Sequence, residues 1–347
     1  MKNFISGRGF RVFAFVAIVA LFVLAPLVST PFLNYQLSLI AVFGVAILGL
    51  NIIMGYGGQV SLGQSAFLGL GAYVAAYGIM HDWPILVVFI LSCAIPAVVG
   101  MLIALAAARL HGLALAMITI ALPIVGVPLA KRFSEFTGGA QGATVSWLRA
   151  PDWSGLASDQ WRYYVVFIIA AVFFVIGRNL TKGRIGRALA IVKTNEAVAM
   201  SMGVSAYRYK VLAFTVASLF GGAAGFLYVA IVQFTSPETM SFHSSINMVV
   251  AMVIGGSASI IGTILGAAYL VFLPVIAGQI DPTQTALISG AVLLAVLFLL
   301  PHGLVSLPRR VSQLSKRSKR SLGRPTEDSS PQNSTAQEVV DIPESPK

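Results

Sequence analysis

The strongest constraint on this chain is a series of apolar stretches about as long as a bilayer is thick. A hydrocarbon core of about 30 Å takes roughly 20 helical residues to cross, and inside it each stretch must satisfy its own backbone. Val12 to Val28, Leu37 to Met54, Pro84 to Ala107, Gly112 to Ala130, Trp161 to Gly177, Val211 to Val232 and Thr285 to Leu300 meet or approach that length. Apart from Arg162 at the edge of one stretch, they hold no Asp, Glu, Lys, Arg or His. Two further stretches are interrupted. Gln59 to Met80 is rich in Gly and Ser, and Ile246 to Ala277 is broken at GGSASIIG, so it reads as two short segments. With 57% apolar and 10% charged residues, the 347-residue chain has too little polar surface to cover a soluble globule. The expected fold class is an all-α integral membrane protein of about ten transmembrane or re-entrant helices.

The first stretch follows Lys2, Arg8 and Arg11, as a signal peptide would. Its apolar core is longer than a usual secretory signal, and LAPLVST lacks a small-x-small cleavage site, so an uncleaved first span is expected. Charge then orients the chain. With the N-terminus inside, 19 of the 23 lysines and arginines fall on the inner side, leaving only Lys131, Arg132, Arg149 and Arg162 outside. Such a bias places both termini in the cytoplasm. The net charge of +11 is the sum of these orientation signals, and nucleic-acid binding is not expected. Residues 1–308 form the expected membrane domain. The tail 309–347 turns from basic (RRVSQLSKRSKR) to Pro/Ser/Glu-rich without an aromatic. It is expected to be disordered, its basic half lying on anionic membrane lipid.

The longest internal polar run, 178–210, carries seven Lys/Arg against one acidic residue, Glu196. Its residues look arranged. Asn195 suits a helix N-cap, Glu196 falls at the positive end of the helix dipole, and Gly203 suits a C′ stop. The expected product is a two-turn helix from Glu196 to Met202, roughly 10 Å long, with Ser205 capping the next helix. Slung between two spans, such a helix is shaped to dock into a partner. The plainer reading is a basic loop that only fixes orientation.

A second arrangement is the run Asn51 to Tyr73, NIIMGYGGQVSLGQSAFLGLGAY. Each glycine in a helix costs up to about 1 kcal/mol relative to Ala. Close packing explains part of the run, since Ser61, Ser65 and Gly69 form a small-xxx-small ridge. A broken helix whose freed backbone lines a solute path explains the rest, with Gly57, Gly58, Ser61, Gly63, Gln64 and Ser65 as its candidate residues. The later stretch from Gly255 to Tyr269 echoes this run, which adds Gly255, Gly256 and Ser257. Gly221 with Gly225 and Gly262 with Gly266 read as helix-packing pairs. Trp147, Trp153 and Trp161, in and after the outer loop, read as interfacial anchors.

No phosphate-binding GxxxxGK[ST] and no metal-ligating cluster occurs, so no catalytic residue, metal or cofactor is expected in this chain. The single cysteine, Cys93, lies in an apolar run. Machines driven by protons or voltage keep ionisable groups at membrane depth. Their absence from the apolar stretches implies that energy for uphill transport comes from another subunit.

GRALAIVKTNEAVAMSMGV, with Glu196, Ala197 and Gly203, resembles the EAA loop by which permeases of ATP-binding-cassette importers dock on their ATPase. The glycine here follows the glutamate by seven residues, one more than in the common pattern, which fits the branched-chain amino acid permeases. The glycine run, TGGAQG (Thr137 to Gly142), this loop followed by YKVLAF, the later GG segment and LPHGL (Leu300 to Leu304) stand in the order of the LivM-type permeases, over most of residues 37 to 304. Ala258 and Thr263 depart from the glycine and proline common there.

The resemblance implies a non-enzymatic subunit of the bacterial inner membrane that moves branched-chain or related amino acids. It implies ATPase coupling through Asn195, Glu196, Ala197, Met202 and Gly203. The implied partners are a LivH-type permease, two ATPase subunits and an extracytoplasmic amino acid-binding protein. A permease for urea or short amides, and a stand-alone carrier or channel for a small polar solute, remain as alternatives.

Overall fold

A computed structural model describes residues 26–107, 113–151, 155–281 and 283–299. The expected first span, up to residue 25, and the tail lie outside the described residues. Most of the described chain is helical. In chain order the helices are α1 (Pro31–Leu50), α2 (Gln64–Met80), α3 (Ile85–Ala107), α4 (Leu113–Arg132), α5 (Ser134–Thr137), α6 (Ser158–Lys182), α7 (Arg184–Thr194), α8 (Glu196–Ser201), α9 (Ala206–Val232), α10 (Phe242–Gly255), α11 (Ile260–Ile280) and α12 (Thr285–Leu299). Six are long and apolar enough to cross a membrane: α1 with its continuation to Tyr56, α3, α4, α6, α9 and α11. The chain is a multi-pass membrane protein.

α1 and α9 form the buried centre, each packed on several neighbours. α1 starts where Thr30 accepts from the Leu33 amide and Pro31 takes the first turn, a position at which proline loses no hydrogen bond. α9 lies against α2 and α3 at backbone distance. A Cβ on Gly222 would fall 2.2 Å from the Ser92 carbonyl oxygen, and one on Gly225 2.1 Å from that of Leu68. Small residues thus let helices meet where no water-driven force joins them. Gly262 and Gly266 pack in the same way, on Gly255 and Ala251 of α10. Between these contacts lie edge-on rings, Phe67 on Phe214 at 5.8 Å, Phe173 on Phe220 at 5.1 Å and Phe89 on Phe226 at 5.0 Å.

Several expectations shift. α2 begins at Gln64 rather than residue 59, because residues 57–63 are unwound. The stretch read as two short segments yields one short helix, α10, and one full-length helix, α11. At 14 residues, α10 is about 21 Å long and starts within the bundle, where the Ser65 hydroxyl donates to the Met240 and Ser241 carbonyls. Because α9 begins at Ala206 and α10 at Phe242, Lys210 and His243 fall inside helices, whereas the apolar stretches that stand for them in the sequence exclude both.

Trp147 is not an interfacial anchor. It is 8% exposed, stacks edge-on against Phe226 at 5.2 Å, and its carbonyl accepts from the Gln233 side chain. Trp153 lies outside the described residues. The TGGAQG turn is a clasp. Thr137 donates to the Ala130 and Phe133 carbonyls, and β1 (Ala143–Thr144) pairs antiparallel with β2 (Phe234–Thr235), holding the stretch that descends to α10.

Candidate functional site

The polar run folds into α7 and α8 at one end of the bundle. The Asn195 side chain accepts from the amides of Ala197 and Val198 at 2.9 and 3.2 Å, starting α8 at Glu196. Gly203 stops it with φ +77°, a left-handed conformation that side chains with a Cβ adopt at a cost. Its amide donates to Met200 and that of Val204 to Ala199, the paired bonds of a Schellman stop. Met202 is the C-cap. Val192, Ala199 and Ala206 form a small core beneath the helix. On its other side Val198, Met200 and Met202 are 48%, 61% and 65% exposed. Ala197 is also exposed, whereas Glu196 turns inward and pairs with the buried ammonium of Lys210.

The glycine run lies directly against these helices. After Leu50, α1 widens into a π-helical turn, Asn51–Tyr56, a local feature that recurs at functional sites. The chain then runs without helix through Gly57, Gly58, Ser61 and Gly63, and re-enters the bundle. Gly58 has φ +67°, and a Cβ there would lie 2.7 Å from Cγ of Lys193 in α7. The same lysine places its Nζ 2.7 Å from the Gly55 carbonyl oxygen. Farther in, Thr119 of α4 accepts from the Leu62 amide at 3.1 Å.

Gln64 and Ser65 are buried staples. The Gln64 amide donates to Ala46 of α1 and Ala217 of α9, and Ser65 shares a 2.7 Å contact with Ser245 of α10. The second break, Gly256 to Ser259, is held by Asn51. Its Oδ1 accepts from the Ala258 amide at 2.8 Å and its Nδ2 donates to the Ser259 carbonyl at 3.0 Å. Gly255 is in backbone contact with Gly262.

The structure therefore brings both glycine stretches and the polar run together at one end of the bundle. Of the candidate path residues, Gly58 is exposed, whereas Gly57, Ser61, Gly63, Gln64, Ser65, Gly255 and Gly256 are buried within this chain. Ser257 is exposed on the second turn. Lys193, Lys210, Asn51 and Thr119 complete the arrangement and had no local signal. A lysine in a basic loop and an asparagine in an apolar run look ordinary until folding brings their distant partners to them.

The permease protein LivM of the high-affinity branched-chain amino acid transport system of Escherichia coli (strain K12) is 27% identical over 325 residues, covering 84% of this chain and 75% of that protein. Its counterpart from Salmonella typhimurium is 28% identical over 292 residues, covering 76% and 67%. A solved structure, PsaBC from Streptococcus pneumoniae in complex with Fab, aligns with 84% of this chain and 99% of that chain at 15% identity, with a TM-score of 0.46, a likeness too low to carry a conclusion. The model of the family described as branched-chain amino acid transport system / permease component matches residues 32–297, so the chain is a member of that permease family.

Proposed function

We propose that this chain is one permease subunit of an ATP-driven importer for branched-chain or related amino acids in a bacterial inner membrane. In this reading α7 and α8 face the cytoplasm with both termini, and about ten segments cross or enter the bilayer. A LivH-type permease supplies the other half of the path, two ATPase subunits complete the complex with α8 as this chain's docking element, and an extracytoplasmic binding protein delivers the solute. The chain itself carries no cofactor.

The observation that supports this most is the construction of α8. A helix of six residues is far below the length at which helices persist alone. This one is capped at both ends, supported by its own small core, and presents Val198, Met200 and Met202 outward. Exposed methionines on a rigid helix suit insertion into an apolar groove of a partner. The unwound stretch beside it contributes to the solute path through Gly58 and its neighbours, with Gln64 and Ser65 keeping the break in shape.

The test is uptake of labelled leucine and of labelled urea by a strain deleted for this gene and by its complemented parent. Loss of leucine uptake on deletion and recovery on complementation is expected. Loss of urea uptake alone would reassign the solute, and loss of neither would remove the transport reading.

A further inference from the structure

A cleft of about 730 Å³ lies between three helices of the membrane domain, α2, α3 and α4. α2 is its floor, with Leu70, Val74 and Tyr77 forming a partly exposed stripe at i, i+4 and i+7. Ile103 of α3 stands on one side, and α4 forms the other with Ala121, Val125 and Leu129, all exposed. No lining residue is charged, and the Thr137 hydroxyl at its end is already spent on the Ala130 and Phe133 carbonyls. Apolar cavities of this kind stay dry and take up hydrocarbon. A zwitterionic solute would lose its hydration there without finding partners.

The end of the cleft far from α7 and α8 has a different character. There Tyr77 lies against Phe136 with ring centroids 5.2 Å apart and meets Trp83 edge-on at 5.9 Å. Trp83 and Phe136 are exposed, and aromatic groups of this kind gather at the level of lipid headgroups. Arg132 follows Leu129 by three positions and Val125 by seven, so it carries the lining face of α4 to the end of the helix. It is exposed and pairs with no acidic side chain among the described residues, whereas Lys131 beside it is turned to Glu238 at 3.8 Å. An apolar trough that ends in a cation at an aromatic belt matches an amphiphile with an anionic head. We propose that the cleft holds an acyl chain of an anionic phospholipid, whose phosphate meets the Arg132 guanidinium in the leaflet opposite α7 and α8. The lipid also supports α4, which is otherwise tied to the bundle by Thr119 on the Leu62 amide and by Met240 against Gly126 and Ala130.

The experiment uses the full complex in proteoliposomes containing phosphatidylglycerol or phosphatidylcholine, each with a diazirine in its acyl chain. After irradiation, labelled peptides are located by mass spectrometry. Phosphatidylglycerol should label the stretches from Ala66 to Tyr77 and from Met117 to Leu129 about fivefold more than phosphatidylcholine, the worth of one basic side chain beside an anionic lipid. Arg132→Gln should bring the two lipids level, and Arg132→Lys should keep most of the preference. Ala121→Trp should fill the trough and block labelling by both. Both positions are exposed, so these variants should reach the membrane in normal amount. Equal labelling by the two lipids in the unaltered chain, or labelling that Ala121→Trp leaves unchanged, would overturn the site. Absence of label from both stretches, as a protein partner seated in the cleft would produce, would also overturn it.

Discussion

The two glycine breaks occupy matching places, each after a helix running toward the α7–α8 end and before one returning, yet they are held in different ways. The second, Gly256 to Ser259, is short and fixed from inside the bundle by two hydrogen bonds from Asn51 and by backbone contact between Gly255 and Gly262. The first, Gly57 to Gly63, is longer and is held from outside, by Lys193 on the Gly55 carbonyl and by Thr119 on the Leu62 amide. Asn51 belongs to the π-helical turn that Lys193 grips. Gly55 itself lies against the Ala258 amide, so α7 touches the first break directly and the second through the π-helical turn that holds Asn51 and Gly55.

Substitutions sharpen that contrast in order of expected size. Gly255→Val should act most strongly, because any Cβ there would lie 1.9 Å from the Gly262 carbonyl oxygen and neither backbone can yield. Loss of most of the protein from the membrane is expected on immunoblots. Asn51→Leu should leave the turn around Ala258 without two hydrogen bonds, at about 1–3 kcal/mol. The protein should reach the membrane in reduced amount, and its melting temperature in detergent should fall. An unchanged melting temperature would mean that the second break holds itself without the first. Gly203→Val should cost about 1–2 kcal/mol at the left-handed stop of α8. It should weaken co-purification of the ATPase several-fold while leaving the melting temperature of the membrane core unchanged.

Much of this was legible in the sequence, and the failures have physical causes. Apolar length locates the spans, and Asn195 and Gly203 mark the ends of α8 because caps are local chemistry. The start of α10 is obscured because FHSS begins the helix under the Ser241 cap with polar residues that break the apolar pattern. Gln64 and Ser65 stand out as unusual in an apolar run, yet their hydrogen bonds go to helices 18 to 180 residues away. Lys193 to Gly55 spans 138 residues and Asn51 to Ala258 spans 207. No periodicity carries such pairings, and they are the contacts that join the loop to the breaks.

Whether the Lys193 contact passes motion is tested most directly by the ratio of leucine transported to ATP hydrolysed in proteoliposomes holding the full complex and loaded binding protein. Lys193→Met keeps most of the stem that covers Gly58 and removes the ammonium that grips Gly55; Lys193→Arg keeps a donor. Lys193→Met should retain the ATPase and its hydrolysis while transport per ATP falls by about tenfold, the scale of one charge-assisted hydrogen bond, and Lys193→Arg should recover part of the loss. An unchanged ratio in Lys193→Met, with normal hydrolysis, would contradict a link running from the loop through Lys193 to the first break.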